Sequence, residues 1–107
     1  MGISVEVYEY TGRLVAQSTG GCDVVAVCRA ASDHPARYPL LAGVDSLDDT
    51  TFNARQSVVL IAELTRLAAA TDVPGLRDAA TELITLAELL VPAPRRPHHR
   101  RLVFNGD

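Results

Sequence analysis

The chain has 107 residues, of which 48% are hydrophobic and 21% charged, and its formal net charge is −3. This length predicts one domain, residues 1–107, and the ordinary globular composition excludes a long disordered protein. With 10 basic and 13 acidic residues, the chain lacks the excess of positive charge that a dedicated nucleic-acid binder needs for phosphate contacts.

The N-terminal residues indicate a cytoplasmic protein. They contain neither a basic segment nor an apolar segment typical of a secretion signal, and no apolar run is long enough to cross a membrane. The two cysteines, Cys22 and Cys28, fit neither a C-x-x-C pair nor half of a zinc site, so we expect free thiols in a reducing compartment.

The first 31 residues predict a hairpin and a short helix. Ile3, Val5 and Val7 alternate with polar residues, which indicates a half-buried strand, and a turn at Gly12 leads into a second strand over residues 14–18. Residues 23–31 carry apolar side chains at helical spacing after Asp23, a residue suited to cap a helix. The valines in that segment leave a third strand open as an alternative.

The middle of the chain predicts a loop followed by two long helices. Prolines make residues 32–47 a loop, and the first long helix begins at Asp48 or Asp49 and runs to about Ala70. A second helix, with Asp72 as its N-cap, continues the same apolar spacing to about Leu90. The short link between them predicts an antiparallel helical hairpin.

The end of the chain predicts a basic connector, residues 95–101, and a strand at Leu102–Phe104. The connector is interpreted as a solvated linker, with contact to a phosphate or an acidic partner as the alternative. The predicted fold is therefore α+β: a small antiparallel sheet, made of the N-terminal hairpin plus the C-terminal strand, covered on one face by the helical hairpin.

One stretch, residues 44–56, concentrates polar groups at the start of the first long helix. The apolar stripe of that helix, extended toward its N-terminus, reaches Asn53, and Asp49 and Gln56 lie beside this line. These polar side chains would then be buried and would need hydrogen-bond partners. In a structural account these side chains bind the proline-rich loop and hold it over the sheet. In a functional account they bind a partner's basic group or a metal. The candidate binding residues are Asp45, Asp48, Asp49, Asn53, Gln56 and Asp107.

Catalytic and cofactor chemistry have weaker support. The acidic residues do not follow the spacing of a calcium-binding loop, and no serine–histidine–aspartate spacing or glycine-rich phosphate loop is present. We therefore predict no cofactor and no resident metal, and we favour a non-enzymatic protein.

The same stretch resembles a segment of small actinobacterial proteins of unknown function. In those proteins the segment commonly reads like V-D-P-Y-G-D-T-x-F-N-x-x-Q, and a short final strand ends in F-x-G-D. The departures are Ser46, Leu47 and Asp48, where that pattern has Pro, Tyr and Gly. The resemblance implies a shared fold and no known activity. The matching residues are Asp45, Asp49, Thr50, Phe52, Asn53, Gln56, Phe104, Gly106 and Asp107.

Three functional hypotheses follow, from different classes. The first is a small cytosolic protein-binding module, such as an immunity or antitoxin-like inhibitor or a regulatory adaptor, whose acidic stretch attracts a basic partner. The second is a small metal-dependent or ligand-binding module that uses the stretch from Asp45 to Gln56. The third is a structural homodimer that pairs through a sheet edge or a helix face. None of the three involves a membrane or a nucleic acid.

Overall fold

The computed structural model describes residues 2–92 and 99–106. Within these residues the chain forms four strands and four helices. In chain order they are β1 (Ser4–Tyr8), β2 (Leu14–Gln17), α1 (Val24–Ser32), α2 (Pro39–Ala42), β3 (Thr50–Phe52), α3 (Ala54–Ala70), α4 (Pro74–Glu88) and β4 (Arg101–Asn105).

The sheet is antiparallel, and its strand order is β2-β1-β4-β3. The C-terminal strand lies in the interior of the sheet, with Phe104 opposite Val5 of β1 and Leu102 opposite Phe52 of β3. The predicted class is therefore confirmed, since the N-terminal hairpin and the C-terminal strand share one sheet. The prediction of three strands missed β3, which makes the second edge.

The helices cover the face of the sheet that carries the larger apolar side chains. Val5, Val7, Leu102 and Phe104 point to this face and are buried, and the ring of Phe52 packs edge-on against Phe104 with centroids 5.6 Å apart. Helices α3 and α4 form the expected hairpin on it. Their buried apolar side chains include Leu60, Leu64, Leu67, Ala80, Leu83 and Ala87.

The first long helix begins later than the sequence predicts. It starts at Ala54, because Thr50–Phe52 form β3; β-branched and aromatic residues suit a strand, and β4 offers this one a partner. Asn53 is the N-cap: its side chain accepts from the Gln56 N–H at 2.9 Å, and the Gln56 side chain accepts from the Asn53 N–H at 2.9 Å. The helix is therefore capped by Asn53 and Gln56, and not by Asp48 or Asp49 as predicted.

The segment from residue 32 to 47 is not wholly a loop, because α2 lies within it. A buried carboxylate on α3 holds this short helix: Glu63, 0% exposed, accepts from the backbone N–H groups of Leu40 and Leu41, each at 3.1 Å. These amides belong to the first turn of α2, where no carbonyl of the helix can reach them. Glu63 thereby fixes α2 against α3.

Of the predicted N-caps of α1 and α4, the first is confirmed and the second is wrong. The helix predicted over residues 23–31 is present as α1, Val24–Ser32, and Asp23 caps it by accepting from the Ala26 N–H at 3.1 Å. The cap of α4 is Val73, without a side-chain bond, whereas Asp72 was predicted. Pro74 at the first turn suits that start, because proline has no N–H to satisfy. No helix among the described residues has the length and apolarity that a membrane crossing requires.

Candidate functional site

The acidic loop, residues 45–49, connects α2 to β3 and contains Asp45, Asp48 and Asp49. Two of its aspartates stabilise its backbone: Asp45 accepts from the Leu47 N–H at 2.9 Å, and Asp48 accepts from the Asp49 N–H at 2.8 Å. Short side chains of this kind commonly bind neighbouring amides in turns. The loop is also tied to β3, since the Asp45 N–H donates to the Thr50 hydroxyl at 3.0 Å.

Gly106 anchors the acidic loop to the end of β4. A Cβ atom at this position would lie 2.6 Å from the Asp48 carbonyl oxygen and 2.7 Å from the Asp45 carbonyl oxygen. These are backbone atoms and cannot move aside as the tip of a side chain can. The loop therefore packs directly on the backbone of Gly106, which requires a residue without a side chain. This contact joins the acidic loop to the C-terminal end of β4.

The loop presents one apolar side chain among its acidic ones. Leu47 is 74% exposed, and Asp45, Asp48 and Asp49 are exposed on either side of it along the chain. A leucine this exposed contributes little to the core, so its replacement should leave folding intact. Backbone contacts and local turns hold the loop, while its charged groups and Leu47 face the solvent.

The side-chain amide of Asn105 lies between two carboxylates, those of Asp49 and Glu6. In one amide orientation its nitrogen donates to Asp49 at 3.1 Å and to the Gly106 carbonyl at 3.3 Å; in the other it donates to Glu6 at 3.3 Å. We favour the first orientation, because it provides two acceptors for the amide nitrogen. Asn105 thus connects the acidic loop to the face of the sheet opposite the helices.

The predicted binding residues do not form one pocket. Asp45, Asp48 and Asp49 lie together in the acidic loop, whereas Asn53 and Gln56 lie beyond β3 and bond to each other. Within residues 2–92 and 99–106, no hydrogen bond joins the aspartates to this pair. Asn53 is exposed, so the predicted core-facing polar stripe is wrong at that position. Asp107 lies outside the described residues.

Helix α3 has two buried polar residues, Glu63 and Ser57, and Ser57 lies one turn after Asn53. Its hydroxyl donates to the Ala87 carbonyl of α4 at 2.5 Å and so joins the two helices. In the structural account Asp49, Asn53 and Gln56 pin the proline-rich loop. That account is wrong in its contacts, because Asn53 and Gln56 bond to each other and Glu63 holds the loop instead. Sequence reasoning could have found Glu63, because it falls between the apolar positions Leu60 and Leu67 on the buried face.

A hollow of about 290 Å³ adjoins the acidic loop on the side of α1. Its lining includes Ile3, Val25 and Cys28, together with Val44, which precedes the loop, and Ser46 within it. Burial raises the pKa of the Cys28 thiol to about 12, so at neutral pH this thiol is protonated and acts as a small apolar group. The hollow is therefore a partly apolar surface next to a charged one.

No group of three or more histidine, cysteine, aspartate or glutamate side chains is placed to hold a metal ion in the described part of the chain. In the acidic loop, one oxygen of Asp45 and one of Asp48 accept from backbone N–H groups of the loop itself. The Asp49 carboxylate lies beside the Asn105 amide. What this arrangement can do is to present negative charge and one apolar side chain to a binding partner.

The chain matches no protein-family model, no curated protein and no solved structure.

Proposed function

We propose that this protein is a small cytoplasmic protein-binding module that uses the acidic loop to engage a basic partner. The observation that supports the proposal is the exposure of Leu47, 74%, in the middle of three exposed aspartates on a loop that the fold holds in place. Interfaces of this kind combine an apolar anchor with surrounding charges that orient the partner.

The way the loop is held supports binding without rearrangement. The Gly106 contact, the Thr50 hydroxyl, the Asp45 turn and the bond from the Asp49 N–H to Asp48 define the loop backbone. They leave Leu47 and the outer carboxylate oxygens available. A binding loop that is ordered before contact loses less conformational entropy when the complex forms. The expected partner surface has a shallow apolar pocket for Leu47, surrounded by lysine or arginine side chains.

An immunity-type or antitoxin-like inhibitor, or a regulatory adaptor, fits these properties. Such proteins act by covering a surface of another protein, and a small domain with negative loop charges would associate quickly with a basic target. The resemblance to small actinobacterial proteins is compatible with this proposal and names no activity.

The proposal is tested by affinity capture from the cells that encode the chain, followed by mass spectrometry. Wild-type protein should retain a basic protein partner, and Leu47→Ser should lose it while keeping the wild-type melting temperature. Val73→Ser is the matched control, because Val73 is 58% exposed and lies between the two long helices, away from the acidic loop. Capture of no protein, or equal capture by wild type and Leu47→Ser, would contradict the proposal.

A further inference from the structure

Another pocket, here named the turn pocket, lies between the end of α1, the start of α2 and the helical hairpin. It has a volume of about 290 Å³, and Leu67 of α3 and Leu76 of α4 form part of its apolar wall. Its polar lining includes Asp33, Arg37 and Tyr38, which belong to the segment that connects α1 to α2. The described lining contains no residue of the acidic loop.

The hydroxyl of Tyr38 is the group in the turn pocket that lacks a partner. Tyr38 is 3% exposed, so the core holds its ring in place, and the hydroxyl of a buried tyrosine usually forms a hydrogen bond. Here no described residue bonds to it. The unpartnered side-chain atoms that are sealed from solvent in the described chain are Glu6 Oε2 and Arg100 Nε, so the Tyr38 hydroxyl stays accessible. The pocket that Tyr38 lines therefore contains a fixed and unused hydrogen-bonding group.

The mouth of the turn pocket carries one charge of each sign. The guanidinium carbon of Arg37 lies 5.6 Å from the centroid of the Tyr38 ring, and this stacking keeps the cation beside the pocket. Asp33 supplies the only carboxylate of the described lining. Asp33 and Arg37 are four residues apart, yet neither forms an ion pair or a side-chain hydrogen bond in the described part of the chain. Both charges are therefore available to a ligand.

We propose that the turn pocket binds a free amino acid with an aliphatic side chain, such as leucine. Asp33 pairs with the ammonium group of the ligand, whereas Arg37 and the Tyr38 hydroxyl donate to its carboxylate. The aliphatic side chain packs on Leu67 and Leu76, and a volume of about 290 Å³ accommodates a molecule of this size.

The two opposite charges select a zwitterion over a ligand with a single charge. A carboxylate without an ammonium group would lie near Asp33 with nothing to offset the repulsion. An amine without a carboxylate would leave Arg37 and the Tyr38 hydroxyl without an acceptor. A purely structural stacking of Arg37 on Tyr38 would account for neither the unused hydroxyl nor the unpaired Asp33. The site is independent of the acidic loop and of the function proposed for it.

The test is an NMR titration of the isotope-labelled full chain with leucine, isocaproate, leucinol and glycine at constant ionic strength. The last three compounds lack the ammonium group, the carboxylate and the aliphatic side chain, respectively. Leucine should bind saturably and should shift the amide signals of residues 33–38 and 67–76 most. Each of the other three compounds should bind at least about fivefold more weakly than leucine.

Variants of the polar groups separate a binding role from a structural one. Tyr38→Phe removes only the hydroxyl and should weaken leucine binding at least about threefold, and Arg37→Gln should weaken it at least about fivefold. Both should keep the wild-type melting temperature, because the hydroxyl has no partner in the fold and Arg37 is exposed. Tyr10→Phe is the matched control, since Tyr10 is 72% exposed between β1 and β2. Its leucine affinity should stay within about twofold of wild type.

The proposal would be overturned if leucine did not bind saturably, if its largest shifts lay outside residues 33–38 and 67–76, or if isocaproate, leucinol or glycine bound equally well. Wild-type leucine affinity in Tyr38→Phe, or an equal loss of affinity in Tyr10→Phe, would also overturn it.

Discussion

Carboxylates serve two different purposes in this molecule, as a comparison of Glu63 with the acidic loop shows. Glu63 is fully buried, and its oxygens accept from the first-turn amides of α2. The carboxylates of the acidic loop are exposed, and the backbone around Gly106 keeps them in place. Removing Glu63 should therefore damage folding, whereas removing the loop charges should leave folding intact and change what the protein binds.

The largest expected effect belongs to Glu63. Replacing it with Leu leaves the Leu40 and Leu41 amides buried without an acceptor, which should lower the free energy of unfolding by about 3 kcal/mol. Glu63→Gln keeps one acceptor oxygen and should lose roughly half as much. Urea unfolding followed by circular dichroism measures both. Equal stability of wild type and Glu63→Leu would mean that α2 is not held by this carboxylate.

The next effect concerns the contact beneath the acidic loop. Gly106→Ala places a methyl group 2.6 Å from the Asp48 carbonyl oxygen, and moving the backbone aside should cost about 2 kcal/mol. Gly21→Ala is the matched control, because a Cβ atom there has no neighbour within 4 Å. The same urea measurement should find this control within about 0.5 kcal/mol of wild type. A neutral Gly106→Ala would show that the loop and β4 are not in close contact.

A smaller effect distinguishes the observed start of α3 from the predicted one. Asn53→Ala removes the capping box and should lower the free energy of unfolding by about 1 kcal/mol. Asp49→Ala should change it by less than about 0.5 kcal/mol, since Asp49 is exposed and caps no helix. If Asp49→Ala proved the more damaging of the two in thermal unfolding, the helix would begin where the sequence predicted.

The smallest effect is a dependence on alkaline pH. Burial raises the pKa of Cys22 to about 11 and that of Cys28 to about 12, above the ordinary thiol value of 9.0. Because the folded thiols hold their protons more tightly, their contribution to stability is complete below pH 9 and declines as the pH rises toward 11 to 12. Iodoacetamide at pH 8 should modify both thiols much faster in urea than in buffer. Equal rates would contradict their burial.

The class of fold was predictable because it depends on local patterns. The alternation that includes Val5 and Val7 indicates β1. The helical spacing of Leu60, Leu64 and Leu67 indicates α3, and the short apolar segment that ends at Phe104 indicates β4. The fourth strand was missed because Thr50–Phe52 is three residues long, and its strand conformation depends on pairing with β4. A sequence pattern does not show that partner.

The candidate site was predictable in part. The concentration of aspartates over residues 45–49 marked the loop, and their exposure fits a surface role. The pairing of Asn53 with Gln56 was open to prediction as a capping box, since the two residues stand three apart. The contact between Gly106 and the loop was not, because it joins positions nearly sixty residues apart through the tertiary fold.

The most direct test of the account replaces Asp45, Asp48 and Asp49 together by Asn. Asn keeps the side-chain oxygen that the turns require and removes the charge, so the melting temperature should stay at the wild-type value. Biolayer interferometry against the captured partner should show at least a tenfold loss of affinity, whereas replacing the exposed Asp33, Asp72 and Asp78 by Asn should leave affinity unchanged. Unchanged affinity of the loop variant, or an equal loss in the control, would contradict a binding role for the acidic loop.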